Sequence, residues 1–133
     1  MAKKKFKIFF VEDEPDIVEL YKIAFEEGGF EMESLMNGKD VLKRLQDFSS
    51  GKAEKPNAMI LDILLPDISG MDILKEVRKN AVFDDVPVVM FTNYSSDKIR
   101  EEIKGIKNTS YILKTDTAPD MLVAIVRGMI DVR

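Results

Sequence analysis

Short apolar runs alternate five times with segments of helical spacing. This predicts an α/β protein: a single doubly wound, five-stranded parallel sheet with five helices on its two faces. Two further observations support it. The runs FKIFFV (6–11) and VPVVMF (86–91) are nearly continuous apolar stretches, as strands buried on both faces require. The segments between them carry helix start and stop signals at the expected places.

The first strand is followed by Pro15, suited to a first helical position. Ile17, Leu20, Tyr21 and Ala24 then share one helical face, and Gly28-Gly29 ends the helix. In the second strand, 30–35, Phe30 and Met32 alternate with Glu31 and Glu33, a half-exposed pattern that predicts an edge strand. Asn37-Gly38 breaks the chain before a helix built on Val41, Leu42, Leu45 and Phe48. The polar stretch SSGKAEKPN (49–57) predicts a surface loop. AMIL (58–61) opens the third strand, Ser69 and Asp72 form a capping pattern, and Ile73, Leu74 and Val77 mark the helix behind it. After the fourth strand, Ile99, Ile103 and Ile106 trace a weaker helix. TSYIL (109–113) is the fifth strand. Thr117 with Asp120 predicts a capped last helix, carrying Met121, Leu122, Ile125, Val126, Met129 and Ile130.

Composition narrows the function. The chain has 133 residues, 45% hydrophobic and 33% charged, the balance of one globular domain. It has no cysteine and no histidine. Disulfides, thiolate metal sites, the usual zinc sites and catalysis by its own histidine are therefore excluded. A net charge of −4, with 20 basic and 24 acidic residues, argues against a direct nucleic-acid surface. The Lys3-Lys4-Lys5 run reads as a solvated lead-in. No apolar run approaches the ~20 residues that cross a bilayer, and no signal peptide is visible. The expectation is a cytoplasmic protein.

In such a sheet the site lies beyond the carboxyl ends of the strands. The first strand leaves Glu12 and Asp13 there, the third Asp62, the fourth Thr92 and the fifth Lys114. Three crowded carboxylates call for a cation, and oxygen-only donors favour Mg²⁺. Lys114 and Thr92 would supply a positive charge and a hydroxyl for phosphate oxygens. A carboxylate beside such groups is what an aspartyl-phosphate site requires. Each residue also has a purely structural reading: Asp62 as a turn cap, Glu12 and Asp13 as caps of the first helix, Thr92 as a strand former, Lys114 as a solvated lysine, and Tyr111 as packing. Turn and capping roles suffice for Asp67 and Asp72, and the methionines read as core gap-fillers.

FFVEDEP, MILDILLPDISG, VVMFTN and YILK, in that order, resemble the receiver domain of two-component response regulators over nearly the whole chain. From Asp62 the hydroxyl lies 30 residues on (62 to 92) and the lysine 52 on (62 to 114), as in that family. The resemblance implies a flavodoxin-like strand order 2-1-3-4-5 and one receiver unit over 1–133, with no output domain. It implies that Asp62 is the phosphoacceptor, supplied by a sensor histidine kinase or phosphotransfer protein. Asp13 and Asp62 would hold Mg²⁺ directly, Glu12 through water, and the Leu64 carbonyl would complete the set. Lys114 and Thr92 would contact the phosphoryl group, and Tyr111 would swing inward behind it. The product would be a two-state signal to an unknown downstream protein, from a monomer or a phosphorylation-dependent dimer, not an enzyme with turnover. Two alternatives stand beside it: a phosphorylation-independent interaction module, and a magnesium-dependent aspartyl hydrolase, which Leu64 disfavours because such enzymes carry a second acid there. Asn93, where alanine is usual, and Thr115, where a proline after a cis peptide is common, depart from the pattern. Leu64 and Tyr94 occupy positions that tune phosphoryl lifetime. The face of the fourth helix, fifth strand and fifth helix, with Lys98, Arg100, Lys104 and Lys107, is implied as a partner surface.

Overall fold

The computed structural model describes residues 5–131; Lys3 and Lys4 of the basic run lie outside them. The elements alternate strictly: β1 (Phe6–Val11), α1 (Pro15–Glu27), β2 (Phe30–Leu35), α2 (Gly38–Ser49), β3 (Ala58–Leu61), α3 (Gly70–Lys79), β4 (Val88–Thr92), α4 (Asp97–Lys104), β5 (Thr109–Leu113) and α5 (Pro119–Asp131). The five strands form one sheet in the order β2-β1-β3-β4-β5. Every pairing is parallel. β2 is an edge strand, as its alternating pattern predicted.

Because successive strand residues point to opposite faces, the central strands feed two cores. Phe9, Val11, Met59, Leu61, Val88 and Met90 pack with Val41, Leu45, Phe48, Ile73, Leu74, Val77 and Ile103, so α2, α3 and α4 cover one face. Ile8, Phe10, Ala58, Ile60, Val89 and Phe91 pack with Tyr21, Phe25, Leu122, Val123, Val126 and Ile130, so α1 and α5 cover the other. Each fully buried large apolar side chain contributes roughly 1.5–3 kcal/mol. The core is aromatic on the α1 side. Tyr21 stacks on Phe10 at 5.5 Å and meets the edge of Phe91 at 5.3 Å.

That aromatic cluster corrects one expectation. The buried face of α1 is centred on Tyr21 and Phe25, and Leu20 is turned outward, 52% exposed. On α5, Met121 and Ile125 are likewise exposed, and Val123 takes a core place. Among the methionines, Met32, Met59, Met71 and Met90 fill the core, whereas Met36 is exposed.

A second correction concerns α5. Thr117 does not cap it. Its hydroxyl donates back to the Leu113 carbonyl at 3.0 Å, and the helix begins at Pro119. Proline fits a first helical position, where its missing N–H costs nothing, and this sets the start one residue late. Ser69 does cap α3, accepting from the Met71 N–H at 3.2 Å. β4 begins at Val88 rather than 86, and α4 ends before Ile106. The 49–57 stretch is less exposed than its polarity predicted: Pro56 is buried, and Asn57 exchanges bonds with the Lys7 backbone, both at 2.8 Å.

Candidate functional site

The sheet register brings the strand ends level. Val11 pairs with Leu61, and the Asp62 N–H donates to the Val11 carbonyl at 3.1 Å. Glu12 and Asp62 thus leave adjacent strands side by side. Both are buried, at 1% and 6% exposure, and Asp13 is half-buried. One carboxylate oxygen from each of Glu12, Asp13 and Asp62 lies within 4.8 Å of the others.

Lys114 enters this cluster from a single 3-10 turn, Lys114–Asp116, at the end of β5. Its Nζ donates to Glu12 Oε1 and, at 2.8 Å, to Asp62 Oδ2. Burial alone would lower the lysine's pKa, but its bonds to Asp62 and Glu12 outweigh this and push it up. Glu12 is pushed up too. Its burial, reinforced by the Asp62 charge, exceeds the help it receives from Lys114 and from the Glu14 N–H at 3.2 Å. Three carboxylates face one ammonium, so the cluster has room for more positive charge. The donor set is all oxygen and suits a hard cation such as Mg²⁺.

The other predicted residues surround this centre. Asp62 Oδ1 accepts from the Leu64 N–H at 3.2 Å. The Leu64 side chain itself is 60% exposed. Thr92, at the end of β4, is fully buried, and its Oγ1 accepts from the Tyr94 N–H at 3.1 Å. The Tyr111 hydroxyl donates to the Tyr94 carbonyl, and the Arg100 guanidinium sits 5.0 Å over the Tyr111 ring. Tyr111 therefore reaches Thr92 through Tyr94. Asn93 and Thr115 line, with Ile17, Leu20, Tyr21 and Lys114, a hollow of about 210 Å³ beside the lysine. The Lys114–Thr115 bond is trans, as are all peptide bonds among the described residues.

Sequence reasoning underrated two features. Gly70 is held tightly over the loop that follows β3: a Cβ there would lie 1.9 Å from the Asp62 carbonyl oxygen. Its N–H donates to the Ile63 carbonyl at 2.8 Å. Asp67, read as a local turn residue, instead bonds to the start of α2. No local pattern betrays a partner 29 residues away. Two basic residues of α4 and the turn after it are engaged nearby: Lys104 pairs with Glu101 at 3.4 Å and Lys107 with Asp84 at 3.2 Å.

The chain and its fold have known relatives. The phosphate regulon transcriptional regulatory protein PhoB of Rhizobium meliloti is 29% identical over 121 residues, 90% of this chain and 50% of that protein. The transcriptional regulatory protein TrcR of Mycobacterium tuberculosis is 27% identical over 93% of this chain and 45% of its own. The chain thus spans about half the length of these relatives. The chemotaxis response regulator CheY4 of Vibrio cholerae shares the fold, with a TM-score of 0.79 at 23% identity over 95% of this chain and 99% of that one. The BeF3-activated receiver domain of Klebsiella pneumoniae RstA gives 0.77 at 27% identity, over 93% and 97%. Among the described residues no helix is long and apolar enough to cross a membrane. The response regulator receiver domain family matches residues 8–127, and the chain belongs to it.

Proposed function

We propose that Asp62 is the phosphoacceptor of this receiver and that its phosphorylation, dependent on Mg²⁺, switches the domain's surface toward a partner. The observation that carries the reading is Lys114 Nζ bonded at once to Glu12 and Asp62, with Asp13 in the same cluster. Three residues from two other strand ends, Glu12, Asp13 and Lys114, converge on the Asp62 carboxylate, which a turn cap does not need.

The donor is a phosphohistidine on a sensor histidine kinase or phosphotransfer protein, a reading compatible with a chain that has no histidine of its own. An Asp62 oxygen attacks phosphorus, the P–N bond breaks, and the imidazole leaves with the bonding pair, protonated on its other nitrogen. Burial of Asp62 limits competing water. Lys114 exchanges its bond to Asp62 for the incoming phosphoryl oxygens. Asp13, Asp62 and Glu12, with the Leu64 carbonyl, are the groups that would hold Mg²⁺. Magnesium, when bound, neutralises the carboxylates and the transferring group. Thr92 Oγ1, now engaged with the Tyr94 N–H, is the hydroxyl that turns to the new phosphoryl group. Tyr111 follows through Tyr94. The chain carries out its own phosphorylation and dephosphorylation only.

Labelling with acetyl phosphate tests this. The wild-type chain is expected to take up one phosphoryl group in Mg²⁺, and Asp62→Asn none, with its far-UV spectrum kept. Mg²⁺ with beryllofluoride raises the wild-type melting point, by about 2.7 kcal/mol of stabilisation at a hundredfold excess over Kd. Full labelling of Asp62→Asn would place the acceptor elsewhere.

A further inference from the structure

The Asp67 carboxylate bridges two loops. Its Oδ1 accepts from the Gly38 N–H at 2.7 Å and from the Ile68 N–H at 2.9 Å, and its Oδ2 accepts from the Lys39 N–H at 2.9 Å. Gly38 and Lys39 are the first two residues of α2. The helix's own cap, Asn37, takes the Asp40 N–H at 2.9 Å. The free amides of the α2 N-terminus are therefore shared between a local cap and a distant one. The fit is close: a Cβ on Gly38 would lie 2.7 Å from Ile68 Cβ and 3.2 Å from Asp67 Oδ1. These bonds and the positive helix end favour the charged carboxylate, whose pKa is lowered, with the Gly38 bond the largest cause.

The loop that Asp67 anchors is the one that starts at Asp62. Its base is closed by Gly70 N–H to Ile63 carbonyl and by Leu64 N–H to Asp62 Oδ1. In its outer part Leu65 packs against the core, but Leu64, at 60%, Pro66 and Asp67 are exposed. Asp67 itself is exposed, and water would satisfy the same amides, so the bridge adds little net stability. What it removes is freedom of the loop.

We propose that Asp67 is a positioning residue for the acceptor site: by fastening the outer turn of the β3–α3 loop to α2, it holds the Leu64 carbonyl and the Asp62 carboxylate in register for the cation. This rests on the reading of Asp62 as a Mg²⁺-dependent acceptor. Outer partners of metal ligands commonly act on affinity in this way.

The test is the Mg²⁺ dependence of acetyl phosphate labelling in wild-type, Asp67→Ala, Asp67→Asn and Asp67→Glu chains. For Asp67→Ala the Mg²⁺ concentration giving half-maximal labelling is expected to rise roughly tenfold, with the rate at saturating Mg²⁺ within about twofold of wild type. Asp67→Asn keeps one carbonyl acceptor and should fall between. Should the alanine variant fail to fold, Asp67→Glu decides, because it keeps the charge and displaces the anchor by one methylene. A raised midpoint there supports the proposal. A wild-type midpoint in the folded alanine variant, or in the glutamate variant if alanine does not fold, overturns it, whatever happens to the melting point. A wild-type chain that takes no label at any Mg²⁺ concentration overturns the acceptor reading itself, and this inference with it.

Discussion

The two loops that border the site are built differently. The β3–α3 loop, 62–69, is bolted along its length: Leu64 N–H to Asp62, Gly70 N–H to Ile63, and Asp67 to the first amides of α2. The β4–α4 loop, 93–96, is tied through Tyr94 and, more lightly, through its two serines. Tyr94 gives its N–H to Thr92 Oγ1 and takes the Tyr111 hydroxyl on its carbonyl. Arg100 lies over the Tyr111 ring and reaches Ser95 Oγ at 3.3 Å. The first loop is fixed by backbone approach and charge-assisted bonds. The second is held by a hydroxyl, a stacked cation and exposed side chains, contacts of about 1 kcal/mol each. The proposed switch needs both: a rigid acceptor, and a neighbour that moves at low cost when the acceptor is charged.

Gly70→Ala attacks the rigid side most directly. The new methyl would meet the Asp62 carbonyl oxygen at 1.9 Å and Ile63 Cα at 2.8 Å, and both are backbone. No side-chain rotation relieves that. The expected loss is about 3 kcal/mol in urea denaturation, with labelling of Asp62 strongly reduced. Wild-type stability and labelling in this variant would show that the β3–α3 loop yields as readily as its neighbour, and the contrast would fail.

What was legible in the sequence follows the same division. Strand count, edge strand and helix count came from apolar periodicity, because burial in a parallel sheet writes itself into continuous runs such as AMIL and VVMF; the strand order came from the family resemblance. The acids and lysine at the strand ends were legible from their placement and spacing. Three things were not. Leu20 satisfied the helical period yet faces out, since Tyr21, Phe25 and their aromatic partners claim the inner face. Thr117 matched a capping pattern that Pro119 overrode. Asp67 looked like a turn residue because its partners, Gly38 and Lys39, are brought to it only by the packed sheet. Local rules find local partners, and these three depend on neighbours distant in the chain.

Tyr111→Phe probes the adjustable side with a smaller effect. It removes the hydroxyl that donates to the Tyr94 carbonyl and keeps the ring under Arg100. That bond lies at the surface, so water replaces it, and the expected cost is about 0.5 kcal/mol. Labelling of Asp62 should stay within about twofold, because nothing in the acid cluster is touched. A loss approaching that of Gly70→Ala would mean that Tyr94 is a structural bolt and that the β4–α4 loop is as fixed as the first.

The smallest effect separates the loops by pH. Asp67 is held below its free value, first by the Gly38 N–H and then by the Lys39 and Ile68 N–H groups. Its folded pKa lies beneath the unfolded one, about 3.9, so the unfolded chain binds the proton more readily in the acid range. The stabilisation is therefore complete above about pH 4 and fades as the pH falls through the folded pKa. The difference in melting point between wild type and Asp67→Asn should stay constant from about pH 8 to about pH 5 and close below about pH 4. Glu12, raised by its burial, titrates in both chains and cancels in that difference. The corresponding difference for Tyr111→Phe should show no acid limb, since that substitution removes no carboxylate. An acid limb in the tyrosine difference, or none for Asp67→Asn, would show that charge is not what distinguishes the two anchors.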